Sequence, residues 1–238
     1  MMRWVAALAT LVLMAACAQV IISEDTPVAS GPVDDTPDEL RTPDQAARAF
    51  AQVAQGVEPV AERTCRARTR KVNCDFRIVV DDRPGQPSNA FQTLDENGRP
   101  VIVFTIALIA EARNEDELAF VMGHEAAHHV AGHIARQREN AQTGARTFAN
   151  LAALTGGSSS AVESASRIGA QVGARSYSKE FELEADALGA IITARAGYRP
   201  VIGAQFFNRI PDPGDRFLGT HPPNAQRIET VRRTIEGL

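Results

Sequence analysis

Two short motifs carry residue types that bind a divalent metal. An HExxH sequence spans residues 124–128, and an ExxxD sequence spans residues 182–186. On a helix, residues four positions apart lie on one face on successive turns. His124 and His128 can therefore share one metal ion, as the paired imidazoles of a zinc site do.

The other residues of the two motifs fit the remaining roles of such a site. Glu182 can complete a His2Glu ligand set that leaves a fourth position open for water. Glu125 is rotated by roughly 100° from His124, so it can face that water as a general base instead of binding the metal. Asp186 can accept a hydrogen bond from the outer N–H group of a ligand histidine. The two motifs predict a hydrolytic site that holds one Zn2+ ion.

Three further histidines lie outside the HExxH motif. His129 and His133 point away from the His124/His128 face of a helix, and we interpret them as packing or helix C-terminal residues. His221 lies in a loop rich in Pro and Gly. It could donate a hydrogen bond to an oxyanion, occupy the open position of zinc and keep the site latent, or be an ordinary surface residue.

The N-terminal segment has the layout of a secretory signal. Residues 1–16 contain Arg3, a short apolar stretch and small residues immediately before Cys17. We interpret them as a lipoprotein signal peptide, with Cys17 as the lipidated residue and 17–41 as a flexible tether. Ordinary cleavage after Ala18 is the alternative. By resemblance to bacterial lipoproteins, Ala18 favours the outer membrane, so a periplasmic protein with a lipid anchor is predicted.

The remaining two cysteines form an even pair. In an exported protein, Cys65 and Cys74 are predicted to form a disulfide, and two free buried thiols are the alternative. The formal net charge of the whole chain is −4 and no basic run is present. Nucleic acid is therefore not expected as a partner.

Apolar periodicity and cap residues predict an α+β fold, in which residues 42–238 form a single, mainly helical domain with a small antiparallel sheet. Strands are predicted at about 60–68, 73–81, 90–94 and 101–105, the last two as a hairpin. Helices are predicted from a capping box at Thr42, from Asn114 to about 137, twice within 138–177, from a cap at Ser178 to near Gly197, over about 200–210, and from Asn224.

Several segments together resemble the HtpX and CaaX-prenyl-protease family of zinc metallopeptidases. The similarity covers about residues 89–228. Within the family, the chain resembles the periplasmic branch similar to BepA and LoiP. The segments that carry it are 89–91, 114–128, 177–186, 196–198 and 220–228. The resemblance implies a gluzincin-type domain that cleaves misfolded envelope proteins, with outer-membrane assembly machinery as a further partner. The rival interpretation is a non-catalytic periplasmic chaperone or assembly factor with a latent zinc site; the intact Glu125 argues against it.

Residue by residue, the resemblance implies a complete peptidase site. Its expected members are the metal ligands His124, His128 and Glu182, the base Glu125, the supporting residue Asp186, and the residues His221 and Arg227 near the reacting centre. His221 or Arg227 would stabilise the oxyanion.

The resemblance also concerns the strand that would bind the substrate. An extended substrate would add to the edge of the sheet, with Val101–Thr105 as the candidate edge strand. The chain departs from the family pattern at Lys179, where Arg is usual, and after Thr105, where Gly is usual.

Overall fold

The computed structural model of this chain describes residues 41–216 and 219–238. The predicted signal peptide, the lipidation site Cys17 and nearly all of the tether lie outside the described residues. Within the described part of the chain, none of the helices combines the length and the apolar character needed to cross a membrane.

Most of the described residues lie in helices. These helices are α1 (Pro43–Arg68), α2 (Ile106–Glu111), α3 (Glu115–Val130), α4 (His133–Leu154), α5 (Ser159–Arg175), α6 (Ser178–Arg195), α7 (Pro200–Gly203) and α8 (Asn224–Glu236). A 3-10 helix, Ala204–Asn208, follows α7. The strands are β1 (Arg77–Asp81), β2 (Ala90–Leu94) and β3 (Pro100–Thr105). A mainly helical fold with a small sheet agrees with the predicted α+β class.

The three strands form a mixed sheet in the order β1-β3-β2. Strands β2 and β3 form the predicted antiparallel hairpin, but β1 pairs with β3 in parallel. The prediction of a purely antiparallel sheet is therefore wrong. The prediction that Val101–Thr105 is the edge strand is also wrong, because β3 is central and almost wholly buried. A continuous apolar run is typical of a strand that is buried on both faces of the sheet. Strands β1 and β2 lie at the two edges instead.

Helix α1 is longer than predicted. Residues 60–68, predicted as a strand, continue the helix, because Val57, Val60, Ala61, Thr64 and Cys65 keep the helical spacing of a buried face. The predicted capping box at Thr42 is present.

The predicted disulfide joins Cys65, near the end of α1, to Cys74, in the segment before β1. In the chain-entropy model, closing so short a loop stabilises a fold by roughly 2–3 kcal/mol.

The helix that carries the HExxH motif ends earlier than predicted. Asn114 caps α3 as expected, but the helix stops at Val130 instead of about residue 137. Gly132 has a φ of 69°, a left-handed conformation that glycine adopts at little cost, and α4 begins at the next residue.

The two helices predicted within 138–177 are present as α4 and α5. Ser178 does not cap α6: it is the first helical residue, and its hydroxyl donates to the carbonyl of Ala174.

Helices α3 and α6 cross at unusually close range. A Cβ atom on Gly189 of α6 would lie 2.8 Å from both the amide nitrogen and the Cα of His124. A Cβ atom on Gly123 of α3 would lie 2.8 Å from the carbonyl oxygen of Gly189 and 2.7 Å from the Thr193 hydroxyl. This contact is possible because both positions are glycine. It brings the HExxH helix against the ExxxD helix.

We expect Gly189→Ala to destabilise the protein and to weaken metal binding together. The added methyl group must push α6 away from the backbone of His124, and overpacking of this kind costs roughly 1–3 kcal/mol. Urea unfolding of the metal-free protein and a zinc titration would measure the two effects.

Gly56→Ala is the matched control for this substitution. Gly56 lies in α1, and its added Cβ would meet only the ring and hydroxyl of Tyr198, at 3.4 Å or more. Since Ala is a better helix former than Gly, this control should leave stability unchanged or raise it. Equal effects of the two substitutions would contradict the role given to the crossing.

Candidate metal centre

Helices α3 and α6 bring two imidazoles and one carboxylate together. The Nε2 atoms of His124 and His128 lie 3.0 Å apart. The carboxylate oxygens of Glu182 lie 3.5 Å from His124 Nε2 and 3.4 Å from His128 Nε2. Tetrahedral zinc ligands at 2.0–2.1 Å from the metal are about 3.3 Å from one another. The three side chains therefore have the donor types and the spacing of a His2Glu zinc site.

Asp186 lies behind the first of these imidazoles. Its Oδ1 atom is 2.9 Å from His124 Nδ1, and the carboxylate is fully buried. A buried carboxylate at Nδ1 keeps a proton there and leaves Nε2 to face the cluster. Burial disfavours a charged imidazole, but the hydrogen bonds with Asp186 and Glu182 prevail and raise the pKa of His124 to about 10. A metal that bound through Nε2 would therefore displace a proton.

Arg227 comes from α8 and joins the two carboxylates of the ExxxD motif. It donates from Nε and Nη2 to Asp186, at 2.8 and 2.7 Å, and Nη2 lies 3.2 Å from Glu182. Its guanidinium group also lies over the ring of Phe207, 4.0 Å from the centroid. Because Arg227 is almost fully buried, its charge balances the carboxylates on the inner side of the cluster.

A cleft of about 620 Å³ opens onto the cluster. Glu125 is half-buried and lines this cleft beside His124 and His128. Residues 88–92, which include the first part of the edge strand β2, form part of its wall. His221 also lines the cleft, with Nε2 3.8 Å from Glu182, and about half of its side chain is exposed.

The model of peptidase family M48 matches residues 47–235 of this chain. The chain belongs to peptidase family M48. This M48 protein is therefore a metallopeptidase, a hydrolase that acts on peptide bonds. The match includes α3, α6 and α8, which together carry every residue of the His2Glu cluster and its inner supports. Comparison with the curated proteins finds none that matches the chain.

The M48 site includes a histidine that the sequence did not indicate. His133 was expected to be a packing or helix C-terminal residue that points away from the His124/His128 face, and the expected direction is wrong. The turn at Gly132 reverses that direction, so that His133 Nδ1 lies 2.8 Å from His128 Nδ1. His129, by contrast, packs at the end of α3, where its Nε2 lies 2.7 Å from the carbonyl oxygen of Asn73.

Two further side chains, Glu184 and Arg136, extend the contacts of His133 on this side of the M48 site. Glu184 lies 3.2 Å from His133 Nε2, and Arg136 donates to the same carboxylate at 2.6 Å. The glycine at residue 132 was the one local sign that the HExxH helix ends early, and it does not indicate which direction the chain takes afterwards.

Proposed function

We propose that this M48 metallopeptidase is a zinc-dependent endopeptidase of the bacterial cell envelope. The observation that carries the proposal is the His2Glu cluster, whose donor atoms have the separations of tetrahedral zinc ligands. In this proposal His124, His128 and Glu182 hold the ion. Two imidazoles and one carboxylate, with an open position towards a cleft, are typical of a catalytic zinc site rather than a structural one.

Zinc, when bound, supplies a Lewis acid that polarises the peptide carbonyl and lowers the pKa of water. Glu125 takes the proton of the attacking water and delivers it to the leaving amine. Its position on α3 between the two histidines, facing the cleft, supports this role. Asp186 and Arg227 keep His124 and Glu182 in place. Asp186 contacts His124, and Arg227 contacts both Asp186 and Glu182.

His221 is our candidate for the group that stabilises the oxyanion. The Nε and Nη2 groups of Arg227 contact Asp186 and Glu182, which favours a positioning role for that residue. His221 lies beside the cluster of three donors without belonging to it. Its Nδ1 contacts the Thr220 hydroxyl at 2.9 Å, which leaves Nε2 on the side of the cleft. The alternative is that His221 itself binds the metal at its open position and blocks it.

The edge strand β2 is the candidate binding site for an extended substrate. Among the described strands it pairs with β3 alone, so one row of its backbone groups is free to pair with a peptide. Residues 88–92 line the cleft that contains Glu125, so a peptide added here would run past the cluster. Backbone pairing recognises extended chains of any sequence, which suits misfolded or unassembled proteins as substrates.

The envelope location rests on the N-terminal sequence. A signal of the lipoprotein type would place the domain in the periplasm, tethered to the outer membrane through Cys17, where unassembled outer-membrane proteins are within reach. The Cys65–Cys74 disulfide supports an oxidising compartment.

We expect Glu125→Gln to abolish proteolysis while zinc binding and the fold remain. The amide keeps the size of the side chain but cannot accept the proton of the attacking water. Cleavage of unfolded casein with zinc present would measure activity, and elemental analysis would measure the metal.

Two carboxylate variants of α6 complete this experiment. Glu182→Gln should lose zinc, whereas Glu180→Gln, an exposed residue of the first turn of the same helix, should bind zinc and cleave casein normally. Loss of metal from Glu125→Gln would place Glu125 among the ligands instead. Zinc binding with no cleavage by the wild-type protein would favour the chaperone or assembly-factor interpretation.

His221→Ala separates the two roles considered for His221. Loss of an oxyanion donor should lower kcat by roughly 100-fold or more, with little change in zinc affinity. The measurement is steady-state cleavage of a peptide substrate with zinc saturating. A rise in kcat, with faster removal of zinc by small chelators, would show that His221 blocks the metal and would overturn the donor role.

The lipid anchor is tested by fractionation of cells that express the full chain. Wild-type protein should sediment with outer membranes, whereas Cys17→Ser should leave a periplasmic protein that is soluble. Firm attachment requires more than one acyl chain, since one chain gives only marginal binding. A soluble wild-type protein that begins at Gln19 would instead show ordinary signal cleavage after Ala18.

A further inference from the structure

His133 makes a contact that its position in the sequence does not suggest. It is the first residue of α4, and its side chain is only 5% exposed. Its Nδ1 atom lies 2.8 Å from His128 Nδ1, the ring nitrogen that faces away from the cluster. A contact at this atom acts on the ligand itself, because the hydrogen bond at one ring nitrogen decides which nitrogen is free to bind metal.

We propose that His133 is a positioning residue for the metal ligand His128, and that it connects this ligand to the carboxylate of Glu184. The inference rests on the proposed function, in which His128 binds zinc through Nε2. Through this connection, the orientation and the basicity of the His128 imidazole depend on His133 and Glu184.

The protons can be assigned along this chain without conflict. If His128 Nε2 offers its lone pair to the metal, the neutral ring carries its proton on Nδ1 and donates it to His133 Nδ1. His133 then carries its own proton on Nε2, which lies 3.2 Å from Glu184 Oε2. Each nitrogen contact has one donor and one acceptor, and the chain ends at a carboxylate that can only accept.

The arrangement parallels the one around the other imidazole ligand. Asp186 contacts His124 directly and is held by Arg227, whereas Glu184 acts through His133 and is held by Arg136. Both carboxylates belong to α6, on either side of Ala185. Each ligand imidazole is thus linked to one carboxylate of this helix, and each carboxylate is paired with one arginine.

The two branches differ in their exposure to water. Asp186 is fully buried, but the side chain of Glu184 is 47% exposed. Because solvent screens the charge of an exposed carboxylate, Glu184 contributes less to the basicity of its imidazole than Asp186 does. The larger part of the effect on His128 should therefore come from the hydrogen bond that His133 accepts.

The packing around His133 fixes the direction of this hydrogen bond. The rings of His133 and Phe181 stack with their centroids 4.6 Å apart and an angle of 9° between their planes. Arg136 lies over the same phenylalanine ring, 4.3 Å from its centroid. Since the imidazole is held flat against Phe181, its two nitrogens have little freedom to turn away from His128 and Glu184.

The test compares two substitutions of His133 by their zinc affinity. His133→Phe keeps a flat ring against Phe181 but removes the acceptor, and it should raise the zinc dissociation constant by about 10-fold or more, as is typical when a supporting partner of a ligand is lost. His133→Asn restores a short acceptor and should recover most of the affinity. Competition with a chromogenic chelator at pH 7.5 measures both constants.

A second set of variants makes the result independent of folding. Glu184→Gln keeps the shape of an exposed side chain, removes its charge, and should raise the dissociation constant a few-fold. Glu180→Gln, on the same helix, should not change it. The absorption spectrum of the cobalt-substituted protein should differ from wild type in His133→Phe, because the field of the ligand His128 changes.

Two outcomes distinguish failure of this inference from failure of the proposed function. A zinc dissociation constant of His133→Phe within two-fold of wild type overturns the positioning role, even if thermal stability falls. No loss of zinc affinity in Glu182→Gln would instead remove the proposed metal site, and the role of His133 would fall with it.

Discussion

The approach of α3 to α6 at Gly123 and Gly189 is the constraint on which the site depends. With side chains at these two positions, the helices would separate, and the donors on one would move out of reach of the donor on the other. A metal ion tolerates little change in the distance to its ligands, so a shift of one ångström would leave an incomplete site. The absence of side chains at Gly123 and Gly189 is therefore required both for the packing of the two helices and for the site.

Paired charges hold α3 in position at its N-terminus and near its middle. At its N-terminus the buried carboxylate of Glu117 accepts two hydrogen bonds of 2.6 Å from Arg209, which follows the 3-10 helix. Negative charge is favourable at that end of a helix. Farther along, Arg227 and the carboxylate of Asp186 place opposite charges beside His124. Breaking one member of a buried pair is costly, so these contacts resist rotation of the helix that presents the ligands.

Local patterns in the sequence predicted much of this molecule. The HExxH and ExxxD spacings identified the residues that converge, the cap at Asn114 located the start of α3, and the cysteine count indicated the disulfide. The errors arose where two local signals agree with different structures. Residues 60–68 have apolar residues that suit either a strand or a helix, and burial of one face, with Val60, Ala61 and Cys65 in the core, decides for the helix.

The sequence by itself determined which side chains can share a face, because helical spacing is a property of a single segment. It could not determine that β3 is the central strand, since this depends on the parallel pairing of β1 with β3 on the side away from β2. Nor could it determine the position of His133. A left-handed glycine at residue 132 turns the chain, and only the packing of α4 against Phe181 of α6 directs this histidine back to His128. Such contacts join residues that are distant in the chain, and only the tertiary structure decides them.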